Sequence, residues 1–140
     1  MKKTPVCIMM LLLCVTVLTS CADIGAQQSI LKLDQFQAQF EKDGYEYTRL
    51  GDADVTSFAE SLAAESGVLL KSKITGVIEY SYRDASTGKT VYGIVVGTTN
   101  RDDSKAVSRA YVEMLKPVLE WKEWTTSNFG FYTQIEYSLS

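Results

Sequence analysis

The chain reads as α+β: an antiparallel sheet with helices laid on one face. Three observations predict this. Residues 69–83 and 90–99 are β-rich runs around a polar, glycine-bearing loop, the pattern of a hairpin. Residues 129–139 alternate, which suits a strand with one buried and one wet side. Residues 55–63 and 107–118 repeat apolar side chains at three- and four-residue spacing, the period of helices packed on a sheet.

The elements follow in order. Ile30, Leu33, Phe36 and Phe40 mark one stripe of a first helix over 30–43, with Ser29 or Asp34 as cap and Gly44 as its stop. Tyr45 to Leu50 alternates and is rich in β-formers, so a short strand is expected. Gly51 to Asp54 turns the chain and offers Asp52 or Asp54 as the next cap. Val55, Phe58, Ala59, Leu62 and Ala63 line a second helix that ends at Gly67.

In the long strand 69–83, Ile74, Gly76, Ile78, Tyr80 and Tyr82 fall on one face and Thr75, Val77, Glu79, Ser81 and Arg83 on the other. Asp84 to Lys89 is the turn and Thr90 to Thr99 the partner strand. Asn100 to Ser104 starts a third helix carrying Val107, Ala110, Tyr111, Met114, Leu115 and Val118 on its apolar face. Pro117 lacks an N–H to donate, so this helix ends or kinks near Leu115. A short new helix then runs through Trp124, and Thr125 to Asn128 breaks the pattern. In the last strand Phe129, Phe131, Thr133, Ile135, Tyr137 and Leu139 share one face. After the first helix the order is β-α-β-β-α-β, which matches a ferredoxin-like split βαβ sandwich preceded by an N-terminal helix.

The start of the chain has a different character. Met1-Lys2-Lys3 is positive, Val6 to Leu18 is an uncharged apolar run, and Thr19-Ser20 are small residues before Cys21. This is the charged, apolar and small-residue sequence of a secretory signal. The apolar run is short of the roughly 20 residues that span a bilayer. Leu18-Thr19-Ser20-Cys21 resembles the lipobox of bacterial lipoproteins.

That resemblance implies recognition of Leu18, Thr19 and Ser20 by the lipoprotein signal peptidase. It also implies a lipid on the Cys21 sulfur and an acyl chain on its nitrogen. The expected organisation is a cleaved signal over 1–20, a lipidated Cys21 with a short tether over 21–29, and one domain over 30–140. An ordinary secretory signal cut near Ala22 or Ala26 is the alternative for the same residues. In such families an Asp directly after the lipidated Cys retains the protein at the inner membrane. Ala22 stands there, which implies the outer membrane, facing the periplasm or exposed at the surface.

Residues 1–20 hold two of the 14 basic side chains and no acid, so a chain starting at Cys21 carries 12 basic and 17 acidic groups, a formal −5. This opposes non-specific nucleic-acid binding, which works by releasing counterions to positive charge. With Cys7 and Cys14 in the cleaved segment and Cys21 lipidated, the domain holds no thiol or disulfide, and the chain has no His. His-based triads and His- or Cys-ligated zinc are excluded, and no cofactor or metal is expected.

Few residues suggest catalysis. Gly88-Lys89-Thr90 invites a phosphate-loop reading, but Arg83 stands where the first Gly is needed and a strand, not a helix, follows. Asp102-Asp103 at a helix start serve as dipole partners more simply than as an acid pair. Glu79 and Glu136 would support glycoside hydrolysis only if they converged. Tyr80, Tyr82, Tyr92, Tyr132, Trp121 and Trp124 make the domain aromatic-rich. Trp121, Trp124 and Tyr132 are the candidate partner contacts.

The expected function is a non-enzymatic, membrane-anchored lipoprotein whose domain binds a protein or cell-envelope component. An inhibitor or immunity lipoprotein acting on a hydrolase and a carboxylate-dependent envelope hydrolase are the two alternatives.

Overall fold

The computed structural model describes residues 21–66, 74–115 and 123–138. The elements are α1 (Cys21–Asp43), β1 (Glu46–Arg49), α2 (Asp52–Ser66), β2 (Ile74–Arg83), β3 (Thr90–Thr98), α3 (Arg101–Leu115), β4 (Glu123–Phe129) and β5 (Tyr132–Ser138). The fold is α+β around one five-stranded antiparallel sheet in the order β1-β2-β3-β5-β4.

The ferredoxin-like order is not adopted. That order would separate β1 from β2 by a third strand, whereas Tyr47 pairs directly with Tyr80 and β1 lies beside β2. The added strand is β4. The segment expected to end a short helix and break is, over 123–129, an edge strand paired to β5. Thr125, Thr126 and Phe129 favour extended backbone. Residues 116–122, the rest of that expected helix, lie outside the described residues, as do 69–73 and Gly67.

The sheet has helices on both faces. α2 and α3 share one face, where Val55, Leu62, Val107, Ala110 and Val112 close over Val77, Ile94, Val96 and Ile135. α1 covers the other, where Leu33 and Phe40 pack on Ile78, Tyr80 and Val95. Burying a Leu or Ile side chain contributes roughly 1.5–3 kcal/mol. Both layers are therefore needed to shield strands that are apolar on both sides.

A register shift between Ile74 and Gly76 moves Ile74 away from the face expected for it. Ile74 joins the α2/α3 core, while Gly76 lies under Leu33 of α1. One inserted residue reverses the faces on either side of it.

Residues 21–29 are not a tether. They are the first turns of α1, and Gly25 and Ser29 are buried. A Cβ on Gly25 would overlap the Thr99 carbonyl, and Ser29 Oγ hydrogen-bonds Thr75 Oγ1. Small residues here let the helix backbone approach the end of β3. Ser29 and Asp34 are consequently mid-helix and cap nothing. Asp34 instead pairs with Arg49 of β1 at 2.5 Å.

The expected stop at Gly44 is observed. Gly44 has φ 73°, its N–H donates to Glu41 O at 3.3 Å, and Tyr45 N–H donates to Phe40 O at 2.9 Å. This pair of bonds is a Schellman motif. Asp52 and Asp54 fall in the first turn of α2 behind Gly51, whose carbonyl accepts from Val55 N–H at 2.9 Å. Asn100 caps α3, its Oδ1 accepting from Asp103 N–H at 2.8 Å.

Candidate functional site

The sheet face beneath α1 carries an aromatic and carboxyl cluster. Tyr80 on β2 is opposite Gly93 on β3, and Gly93 is opposite Glu136 on β5. Because Gly93 has no side chain, the Tyr80 ring lies across it. Tyr80 Oη then donates to Glu136 Oε1 at 2.6 Å, and Tyr82 Oη donates to Glu136 Oε2 at 3.1 Å. Gln134 Nε2 donates to Tyr80 Oη at 2.7 Å. Burial, and then the bond to Glu136, raises the Tyr80 phenol well above its ordinary value. Tyr82 is pushed up to about 12 by burial and by the nearby Glu136 carboxyl.

Rings stack over this cluster. Tyr45 and Tyr82 centroids are 4.4 Å apart at 12°, and those of Phe40 and Tyr80 4.2 Å at 26°. The positioning of Tyr45 follows from the Schellman turn, which returns the chain over the sheet directly after α1.

The face opens at two ends. At the C-terminal end of α1, an open cleft of about 400 Å³ is lined by Asp43, Tyr45, Glu46, Tyr82, Arg83 and Thr90 among others. Nearer the N-terminal end, an apolar groove of about 200 Å³ lies between α1 and the β4–β5 turn. It is lined by Gln28, Leu31, Lys32, Gln35, Phe131 and Tyr132. The turn is two residues, Gly130-Phe131, with positive φ on Gly130 alone, the type II′ pattern. Phe131 O accepts from Thr98 N–H at 2.7 Å, which fixes the turn to the end of β3.

The structure distributes the sequence-predicted residues unevenly. Leu18, Thr19, Ser20 and Trp121 lie outside the described residues. Cys21 opens α1. Trp124 is in β4 at the position paired with Tyr137, far along the hairpin from Tyr132, which pairs with Phe129. Tyr132 is half-buried, meets Phe36 edge-on at 5.1 Å, and lines the apolar groove.

Glu79 and Glu136 do not converge. Glu79 is opposite Ile94, which is opposite Ile135, on the α2/α3 face; Glu136 belongs to the α1 face. The sheet separates them. Asp103 is buried at the N-terminus of α3, so Asp102 and Asp103 are helix-start residues. Ser86 to Lys89 form the hairpin loop, with Asp84 Oδ1 accepting from Ser86 N–H at 2.9 Å and Ser86 Oγ at 2.7 Å. No group of three His, Cys, Asp or Glu that could hold a metal occurs among the described residues. No helix among them is long and apolar enough to cross a membrane.

Sequence reasoning missed Tyr45, Leu31 and Phe131 as site residues. Gly130 between two aromatic residues was the available signal for the turn that presents Phe131. Compared with known proteins, the chain matches no family model, and neither a curated protein nor a solved structure matches it.

Proposed function

We propose that this protein is a bacterial lipoprotein, held to the membrane through lipid on Cys21, whose α+β domain binds a protein or cell-envelope component. The observation that carries the reading is the lipobox order of Leu18 to Cys21 directly after the apolar run Val6 to Leu18. A lipid on Cys21 would attach about one helical turn before Gly25, which is buried against the sheet. Binding is favoured over carboxylate hydrolysis because Glu79 and Glu136 occupy opposite faces and both Glu136 oxygens accept phenol hydrogen bonds. The Tyr45–Tyr82 cleft lies at the end of α1 away from the anchor and is the contact surface in this reading.

Cys21→Ala tests the anchor. It is expected to abolish labelling by a palmitate analogue and to move the protein into the soluble fraction. Undiminished labelling would show that another residue carries the lipid, or that the lipobox reading is wrong. Photocrosslinking from position 45 in intact cells tests the binding surface, and crosslinks confined to lipid would count against it.

A further inference from the structure

We infer that α1 lies down on the membrane surface, with Ile30 and Leu31 inserted among the lipid headgroups as a second contact beside the anchor. This inference rests on the lipoprotein reading. It starts from exposure. Leu31 is 59% exposed and Ile30 42%, adjacent large apolar residues on the outward side of a helix whose inward side is fully packed. Ile30 was expected to join the buried stripe; the helix turns it outward because Ser29 and Leu33 take the sheet-facing positions.

Charge along α1 agrees. Between residues 25 and 33 its exposed side chains are Gln27, Gln28, Ile30, Leu31 and Lys32, with no acid. The exposed acids Asp34, Glu41 and Asp43 follow only later. That stretch carries two adjacent large apolar side chains, two amides and one cation, with Asp23 nearer Cys21; apolar side chains beside a cation suit a bilayer interface. The groove beside Leu31 adds Phe131 and Tyr132, and aromatic residues favour the same headgroup level.

Geometry then selects an orientation. Leu31 is ten residues beyond Cys21, about 15 Å along the helix. The headgroup layer is only about 5–8 Å deep on each side of the hydrocarbon. A helix standing on its anchor would lift Leu31 clear of the lipid. A helix lying in the surface plane brings Ile30, Leu31 and the rim of the groove into it. With α1 packed from Gly25 onward, no slack segment within the described residues uncouples the domain from that tilt.

The test uses single thiols. The mature chain has no cysteine besides Cys21, whose sulfur the lipid would occupy, so Leu31→Cys and Lys42→Cys each give one site for an environment-sensitive NBD label. The lipidated proteins are reconstituted into vesicles of equal parts phosphatidylethanolamine and phosphatidylglycerol and floated on a density gradient. The expected result is flotation of both, with blue-shifted and brighter emission at position 31 and aqueous emission at position 42. Flotation with aqueous emission at both positions overturns the membrane contact and leaves the anchor reading intact. Failure of either protein to float, with no lipid mass on Cys21, overturns the anchor reading and this contact with it. A blue shift at 31 that grows with protein concentration in detergent without vesicles identifies self-association instead and also overturns the contact.

Discussion

Tyr80 Oη reaches Glu136 Oε1 at 2.6 Å although a whole strand runs between their backbones. The reach depends on Gly93, which pairs with both residues and leaves the space the phenol ring fills. Three strands are tied together by one side chain.

Gly93→Ala should break this tie. A Cβ at position 93 would overlap the Tyr80 ring atoms, so the ring must move and its bond to Glu136 is lost. A loss of about 1–3 kcal/mol in urea unfolding is expected, the usual cost of overpacking. A change within about 0.5 kcal/mol, the range of neutral surface substitutions, would show that the ring does not lie over Gly93.

The two glutamates should behave differently. Glu79 is exposed, so Glu79→Gln should leave stability within about 0.5 kcal/mol. Glu136→Ala removes the acceptor of two phenol hydrogen bonds, one from buried Tyr80, and should cost about 1.5–3 kcal/mol. Equal effects in thermal and urea unfolding would contradict their placement on opposite faces.

Much of this was legible in the sequence, and the exceptions have physical causes. Gly44 announced the Schellman turn and Asp84 to Lys89 the hairpin, because both depend on residues within a few positions of each other. Phe129 to Leu139 reads as a single strand across the turn because a two-residue turn keeps the period-two pattern in step. Gly25 and Ser29 looked like tether because small polar residues suit both a linker and a close helix-to-sheet approach. The Tyr80–Glu136 bond could not be read at all. It follows from which strands are neighbours, and that order is not written in local spacing.

Alkaline pH should destabilise the fold through the same cluster. Tyr80 and Tyr82 hold their protons more tightly when folded than the ordinary phenol value of 10.0, Tyr82 up to about 12. Their contribution is complete below about pH 10 and is lost as pH rises from there through the folded-state values. Phenolate absorbance should therefore show a late-titrating class in the folded protein that shifts to ordinary values in urea. Titration of every tyrosine near its ordinary value in the folded state would refute the cluster.

Acid acts at the turn of the β2–β3 hairpin. The Ser86 hydroxyl and N–H hold the Asp84 carboxyl below its ordinary 3.8. The stability this brings is present above about that pH and is lost as pH falls through the lowered folded-state value. Carboxyl NMR titration should find Asp84 low in the native protein and ordinary in Ser86→Ala. An unchanged Asp84 in that variant would mean that the bonds from Ser86 are not what lowers it.

Gly25 against the Thr99 carbonyl has a mechanical consequence. A load applied at Cys21 meets no slack chain before it arrives at the end of β3. It is carried along α1 as shear across the Gly76 and Gly97 positions, where Leu33 and Ser29 of the helix fit into space that side chains would fill. A lipid on Cys21, as proposed, would make helix and sheet one lever, and thermal motion of the membrane would then be transmitted to the domain as rocking of a rigid body.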